Sequence, residues 1–388
     1  MAKLPIEDVR PGLARLYKRM KRLPLVIDAI QYRNPPHIQR DIERETEVPQ
    51  TTVSRMMRYL NREGVRFRVD YNVADFDLNL TLVSARPASR IAWETIPYRH
   101  YISLLTTTLT GDILIVYRHP TELDTESLKE RLKDSLKTDS IDMTVFNYTA
   151  LAKPSITYYI DSLGPREKLD PIKALKINES HPTMPYTKVS ELIKPFYNKN
   201  LKRKYRVTYD QTDLFLIAML EKNTIMSKQS FIQALREQLH VLNEPEGKAM
   251  KHFKHIERRI KGSRAMILDP NKLLSTTITG TTTRRCALHL LQEMVTYFYA
   301  VNLAIDDDSR MGVTLSLPPS MVQTLINHFE SRCKFDDLKV YVFSINNIIA
   351  SKLFPFRNYD FFARRWILDE AVLEEQHKKL MSRGYKVF

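Results

Sequence analysis

Polar and basic side chains recur at helical spacing between residues 50 and 62, opposite an apolar set. At about 100° per residue, Val53, Met56, Met57 and Leu60 share one side of a helix, and the arginines lie on the other. Short polar side chains at a helix start can approach base edges, and arginine can bind guanine or phosphate. We therefore predict a DNA-contacting face made of Gln50, Thr51, Thr52, Ser54, Arg55, Arg58 and Arg62.

Two further basic sets extend this prediction. Arg66 and Arg68 lie in a short alternating stretch directly after the helix, which is typical of a β-wing. A second helical pattern near residue 250 is rich in lysine, which suits phosphate contact better than base reading. Its predicted contacts are Lys248, Lys251, Lys254, His255 and Arg258.

Other reactive residue types give no catalytic pattern. His252 and His255 are three apart on a helix, but neighbouring lysines and the lack of a matching carboxylate or cysteine pair in sequence argue against a metal. Asp306–Asp308 lacks the spacing of a calcium loop, and we interpret it as a hairpin turn. Cys286 and Cys333 stand far apart, so we expect free thiols in or near a core. We predict no enzyme activity, no cofactor and no metal.

Composition is consistent with a basic multidomain protein. The 388 residues carry 60 Lys and Arg against 45 Asp and Glu, a net charge of +15, which favours polyanionic partners. Only 9 residues are glycine, and no glycine-rich phosphate-binding motif occurs. No apolar run reaches the length of a membrane span, and no signal peptide is visible, so we expect a cytoplasmic protein.

The elements that must position these residues occur twice. Val26–Gln31 resembles Phe215–Leu220, Gly64 matches Gly262, and Val145 with Phe146 matches Val342 with Phe343. The matching positions are roughly 190–200 residues apart, which indicates a tandem duplication of one long unit. A polar stretch at 240–247 accounts for an insertion in the second copy.

Each copy reads as helices, a short wing and a βαββαβ pattern, which is ferredoxin-like. The predicted fold class is therefore α+β, a tandem repeat of a winged helix-turn-helix followed by a ferredoxin-like βαββαβ domain. The predicted segments are a helix-turn-helix domain at 1–75, a ferredoxin-like domain at 76–152, a basic linker at 153–205, a second helix-turn-helix-like domain at 206–272, a second ferredoxin-like domain at 273–350 and a helical tail at 351–388.

The stretch from Thr46 to Val69 resembles the winged helix-turn-helix of the leucine-responsive/asparagine-regulator (Lrp/AsnC) family. Thr110, Gly111 and Asp112 followed by apolar residues resemble that family's strand signature. The resemblance implies transcription regulation and a domain that dimerises and senses amino acids. The second copy has Met311, Gly312 and Val313 at the matching place, so we do not expect an amino-acid effector.

The leading interpretation is a transcription regulator that binds double-stranded DNA as a covalent pseudo-dimer, with homodimerisation through the ferredoxin-like domains left open. One alternative is an architectural, nucleoid-associated protein that binds DNA with little specificity, as the charge and the lysine-rich second copy allow. Another is an adaptor that contacts the transcription machinery through the C-terminal helix. Under the first two, the protein is prokaryotic and associated with the nucleoid.

Overall fold

The computed structural model describes residues 19–32, 39–63, 65–88, 91–151, 209–222, 224, 232–235, 237, 246–257, 259–266, 274–297, 301–305 and 310–382. The predicted linker at 153–205, most of the predicted insertion at 240–247 and the aspartates at 306–308 lie outside these ranges. Within the described part, no helix is long and apolar enough to cross a membrane.

Among the described residues, the first copy starts with three short helices. The third helix starts after Pro49 and buries Val53, Met56, Met57 and Leu60, so the predicted apolar face is confirmed. The elements of this copy are α1 (Leu23–Tyr32), α2 (Gln39–Thr46), α3 (Gln50–Arg62), β1 (Arg66–Tyr71), β2 (Leu78–Ala85), β3 (Ile102–Thr107), β4 (Ile113–Pro120), α4 (Thr125–Leu136), β5 (Ile141–Phe146) and β6 (Tyr148–Leu151).

The second copy has a similar order of elements among its described residues, with two helices before its first strand, and is followed by a C-terminal segment. Its elements are α5 (Gln211–Lys222), α6 (Glu246–Glu257), β7 (Ile260–Met266), β8 (Leu274–Thr281), α7 (Arg284–Tyr297), β9 (Val301–Ile305), β10 (Arg310–Leu317), α8 (Pro319–Arg332) and β11 (Lys339–Phe343). The C-terminal segment adds β12 (Ile348–Ser351), β13 (Tyr359–Asp360), β14 (Arg365–Trp366) and α9 (Glu370–Ser382).

Two five-stranded antiparallel sheets form the ferredoxin-like domains. Their strand orders are β12-β3-β4-β2-β5 and β11-β8-β10-β9-β6. Each contains the four strands of its own copy plus one edge strand, β12 or β6, that directly follows the last strand of the other copy's ferredoxin pattern. The predicted tandem α+β fold is confirmed, and the two copies complete each other's sheets.

The helical domains are also joined across the copies. Strand β1 pairs antiparallel with β7, and Arg68 lies opposite Arg264 in this ribbon. Helix α1 packs against β7, while α5 packs against β1. The stretch that we predicted as a wing is thus one half of a ribbon shared by both copies.

The first ferredoxin-like domain departs from the pattern in one place. Between β2 and β3 the described residues form two 3₁₀ turns, Trp93–Thr95 and Arg99–Tyr101, where the second copy has helix α7. The C-terminal segment packs here. Trp366 donates its indole N–H to the carbonyl of Phe76 at 3.0 Å, and Tyr101 donates its hydroxyl to the carbonyl of Ile367 at 2.8 Å.

Cys286 and Cys333 form a disulfide, which corrects our expectation of free thiols. Cys286 lies in α7, and Cys333 is the residue directly after α8. Both helices cover the same sheet, so their ends meet with the Cα atoms 6.1 Å apart despite a separation of 47 residues. Distance in sequence does not limit a pairing between neighbouring helices.

The two sheets meet through a small apolar cluster of Leu82, Leu114, Phe146 and Phe343. Phe146 packs directly on the backbone of Gly312, where an added Cβ would come within 2.9 Å of the ring. Gly312 belongs to β10 of the second copy, and Phe146 belongs to β5 of the first. Close packing between the copies therefore depends on a glycine at this position.

Candidate functional site

An open cleft of about 540 Å³ lies between the 3₁₀ turns of the first copy, α4 and α9. Its polar lining pairs cations with carboxylates: Arg131 with Glu370, and Arg99 with Glu374 at 2.5 Å. The size falls within the range of small-molecule sites, about 300–1,000 Å³. The lining residues are Glu94, Thr95, Ile96, Pro97, Arg99, Arg131, Glu370, Ala371, Glu374 and Lys378.

Two stacked imidazoles lie behind one wall of this cleft. The rings of His100 and His377 are 3.8 Å apart at 18°. His100 Nε2 hydrogen-bonds with Glu374 Oε1 at 2.8 Å, and His377 Nε2 with the Asn358 side-chain oxygen at 2.8 Å. Both Nδ1 atoms are buried without a hydrogen-bond partner among the described residues. Glu374 thus connects the imidazole pair to the cleft.

Burial sets the charge of the imidazoles. It lowers the pKa of His100, against the opposing effect of the Glu374 hydrogen bond. It also lowers the pKa of His377 to about 3, helped by the cations Lys352 and Arg357 and by repulsion from His100 whenever that ring is protonated. Both rings are therefore neutral at neutral pH.

The pKa values of Lys352 and Glu374, next to the imidazole pair, are also shifted. Burial and the neighbouring Arg99 lower the pKa of Lys352 to about 8, and its ammonium donates to the carbonyl of Arg99 at 3.2 Å. Burial acts to raise the pKa of Glu374, but hydrogen bonds from His100 and Arg99 hold it below the usual value. An ionised carboxylate, two neutral imidazoles and a titratable lysine are a set suited to moving protons.

This site has a weak signal in the sequence. Glu370, Glu374 and His377 recur at the spacing of one helix face, which could have marked α9 as a polar face turned inward. Their partners in the first copy are far away in the chain, with separations of 239 residues between Arg131 and Glu370 and 274 between His100 and Glu374. No local pattern connects such distant positions.

The face predicted to contact DNA is elsewhere, on α3. Gln50, Thr51, Arg55, Arg58 and Arg62 are exposed, and Thr52 and Ser54 are half-buried. Arg66 is exposed on β1, whereas Arg68 is half-buried in the ribbon with β7.

The basic set of the second copy lies on α6 only in part. Lys251, Lys254 and His255 are exposed there. The Lys248 side chain is not described, and Arg258 lies outside the described residues. His252 and His255 do have carboxylate neighbours, since both contact Asp213 of α5.

No family model and no curated protein matches this sequence. Two solved structures of the siroheme decarboxylase NirDL are similar over nearly the whole chain. One shares 8% identity, covers 93% of this chain and 99% of its own, and has a TM-score of 0.51. The other, in complex with an iron-uroporphyrin III analogue, shares 9% identity, covers 92% and 99%, and has a TM-score of 0.50. The tandem fold is therefore shared with these structures.

These comparisons overturn the functional prediction. The solved structures that share the tandem architecture are of an enzyme, whereas we expected a DNA-binding transcription regulator without activity. The architectural DNA-binding alternative gains no support either, and the expected DNA partner conflicts with the enzymatic neighbours. The prediction was wrong because a helix-turn-helix with a basic face can be part of this fold without binding DNA.

Proposed function

We propose that this chain is an enzyme that decarboxylates an acidic tetrapyrrole, with the cleft between α4 and α9 as its active site. The observation that carries the proposal is the similarity to a siroheme decarboxylase over 93% of this chain and 99% of the other. The cleft supports it, because it combines carboxylate-binding cations with a buried group of proton carriers.

The cations of the cleft can exchange partners when substrate binds. Arg99 and Arg131 now pair with Glu374 and Glu370 of α9, and Lys378 lies one helical turn further along. Substrate carboxylates can replace these internal partners, since arginine binds a carboxylate through two parallel hydrogen bonds. Before substrate binds, the ion pairs that Glu370 and Glu374 of α9 form keep Arg131 and Arg99 in position at the cleft.

The reaction requires one proton for each CO₂ released. The bond between carbon and the departing carboxylate breaks, the electron pair stays on carbon, and a proton restores the C–H bond. A polyanionic substrate raises the pKa of the nearby imidazole, because a negative charge favours the imidazolium form. The same negative charge favours the protonated form of Glu374, which takes up a proton from solvent at the open cleft and delivers it to the carbon. The hydrogen bond between His100 Nε2 and Glu374 Oε1 holds that carboxyl group in position.

The test is to incubate the purified chain with siroheme and follow the loss of CO₂ by mass spectrometry. Glu374→Gln removes the carboxyl group that delivers the proton, and we expect turnover to fall by about 10²–10⁴-fold, the usual contribution of acid–base catalysis. Glu375→Gln is the matched control, because Glu375 is the exposed neighbour on the same helix and pairs with Lys379.

Two results would contradict the proposal. Wild-type protein that releases no CO₂ from siroheme or from iron-uroporphyrin III is not this decarboxylase. Equal turnover in Glu374→Gln and Glu375→Gln would mean that the active site lies outside this cleft.

A further inference from the structure

The second helical domain holds a cluster of carboxylates and imidazoles that the proposed decarboxylase site does not use. Asp213 of α5 is fully buried, and each of its carboxylate oxygens faces an imidazole of α6. His252 Nδ1 lies 2.9 Å from Oδ1, and His255 Nδ1 lies 2.7 Å from Oδ2. Helix α6 thus directs two imidazoles at one buried carboxylate of α5.

Asp210 adds a second carboxylate from the start of the same helix. Its Oδ1 accepts the backbone N–H of Asp213 at 2.9 Å and lies 3.5 Å from His252 Nδ1. One ligand atom each from Asp210, Asp213 and His252 lie within 4.8 Å of one another. Ligands about 2.0–2.2 Å from one zinc ion can span such a set after small side-chain rotations.

Charge also favours a cation at this position. A buried carboxylate is costly unless it is paired or coordinates a metal. Among the described residues, the ion-pair partners of the Asp213 side chain are the two imidazoles, with no lysine or arginine. Two carboxylates and one neutral imidazole balance the charge of a divalent ion.

The surroundings allow an ion to reach the site. Asp210 is 59% exposed, while His252 is 12% exposed, so the cluster is open to solvent on one side only. Lys251 and Lys254 of α6 are exposed, and water and salt screen their charges.

The cluster is specific to the second copy. The corresponding positions of the first copy carry Lys21, Pro24, Ser54 and Met57, which contain no carboxylate and no imidazole. The set is therefore not a general requirement of this helical fold.

We propose that Asp210, Asp213 and His252 bind one divalent transition-metal ion, with zinc as the preferred ion and one position left for water. His255 is a positioning residue that holds the second oxygen of Asp213, as partners behind metal ligands commonly do. The ion joins α5 to α6 and so stabilises the second helical domain. This site is independent of the proposed decarboxylation.

The test is titration of the chelator-treated full chain with Zn²⁺ by calorimetry, and with Co²⁺ by visible absorption. We expect one ion per chain and the intense bands of a low-coordinate Co²⁺ site. His252→Gln should abolish binding, and His255→Gln should weaken it by about 10–100-fold, the usual effect of losing a partner behind a ligand. His289→Gln, a change at an exposed histidine of the second ferredoxin-like domain, is the matched control.

Thermal unfolding supplies a second measurement. Zn²⁺ should raise the melting temperature of the wild type and of His289→Gln, but not that of His252→Gln, because an ion that binds only the folded state stabilises it. Binding that is absent from the wild type, or equal in wild type and His252→Gln, would overturn the proposal. These outcomes do not depend on whether siroheme is a substrate.

Discussion

At the scale of single residues, the stacked pair of His100 and His377 is the clearest sign that the C-terminal segment serves the site. Solvent-exposed histidines gain little from stacking, whereas a buried pair must stay neutral or gain a counterion. Glu374 supplies that counterion at the edge of the cleft. Glu374 is therefore the group that links the buried pair to the cleft.

Stability should depend on pH through His377. Its pKa is about 3 in the folded chain and ordinarily 6.5, so between these values the unfolded chain binds a proton that the folded chain does not. Stability therefore falls as pH drops from about 6.5 towards 3, by up to about 1.4 kcal/mol per pH unit, and is fully present above 6.5.

Urea unfolding of wild type and His377→Gln at a series of pH values measures this dependence. The variant should lose much of the fall in stability between pH 6.5 and pH 3, because glutamine does not titrate. Its stability at pH 7.5 should fall only through the lost ring stacking, since the glutamine amide can still donate to Asn358. The exposed His289→Gln should keep the slope of the wild type. Parallel curves for all three proteins would rule out His377 as the source.

At the scale of elements, the two ferredoxin-like domains are covered in different ways. The second uses α7 and α8, tied by the disulfide, and the first uses α4 together with the C-terminal segment. The sequence pattern predicted helix α9 but not its location, since periodicity reports that a face is buried and not what covers it.

Loss of the disulfide should destabilise the second ferredoxin-like domain. Closing a loop across 47 residues removes unfolded-chain entropy worth about 4 kcal/mol in the loop-closure model, and about 2–4 kcal/mol is typical. The double variant Cys286→Ser, Cys333→Ser should lose about that much in guanidinium unfolding. The wild type with reductant should match the variant without it. An effect of reductant on the double variant would show that the measured loss has another origin.

At the scale of the whole molecule, the strand pairings that join the copies within the described residues are the β1–β7 ribbon, β6 beside β9, and β12 beside β3. The sequence predicted the duplication and the strand patterns because these depend on local alternation. It could not predict the exchanged edge strands, the buried Asp213 cluster or the cleft, because each joins positions that are far apart in the chain. The apolar face of α3 is buried as predicted, yet the basic residues on its other side do not determine what binds there.

Packing between the sheets should be sensitive to the size of residue 312. Gly312→Ala places a methyl group 2.9 Å from the ring of Phe146, and we expect a loss of about 1–3 kcal/mol, as for other overpacked cores. Phe146→Leu should recover part of that loss in the double variant, because the shorter side chain makes room. Chemical unfolding of the four proteins as a double-mutant cycle measures the coupling. Additive losses of stability would mean that a steric contact between residues 312 and 146 does not cause the loss.

The edge strand β12 also has a consequence for synthesis on the ribosome. Thr106 of β3 contacts Asn347, at the start of β12, which follows it by 241 residues. At about 5–20 residues per second, the open edge of the first sheet waits roughly 12–50 s for its last strand to leave the ribosome. An unpaired edge can associate with other chains during that time. The nascent first half therefore exposes an open pairing edge on β3 until β12 has been made.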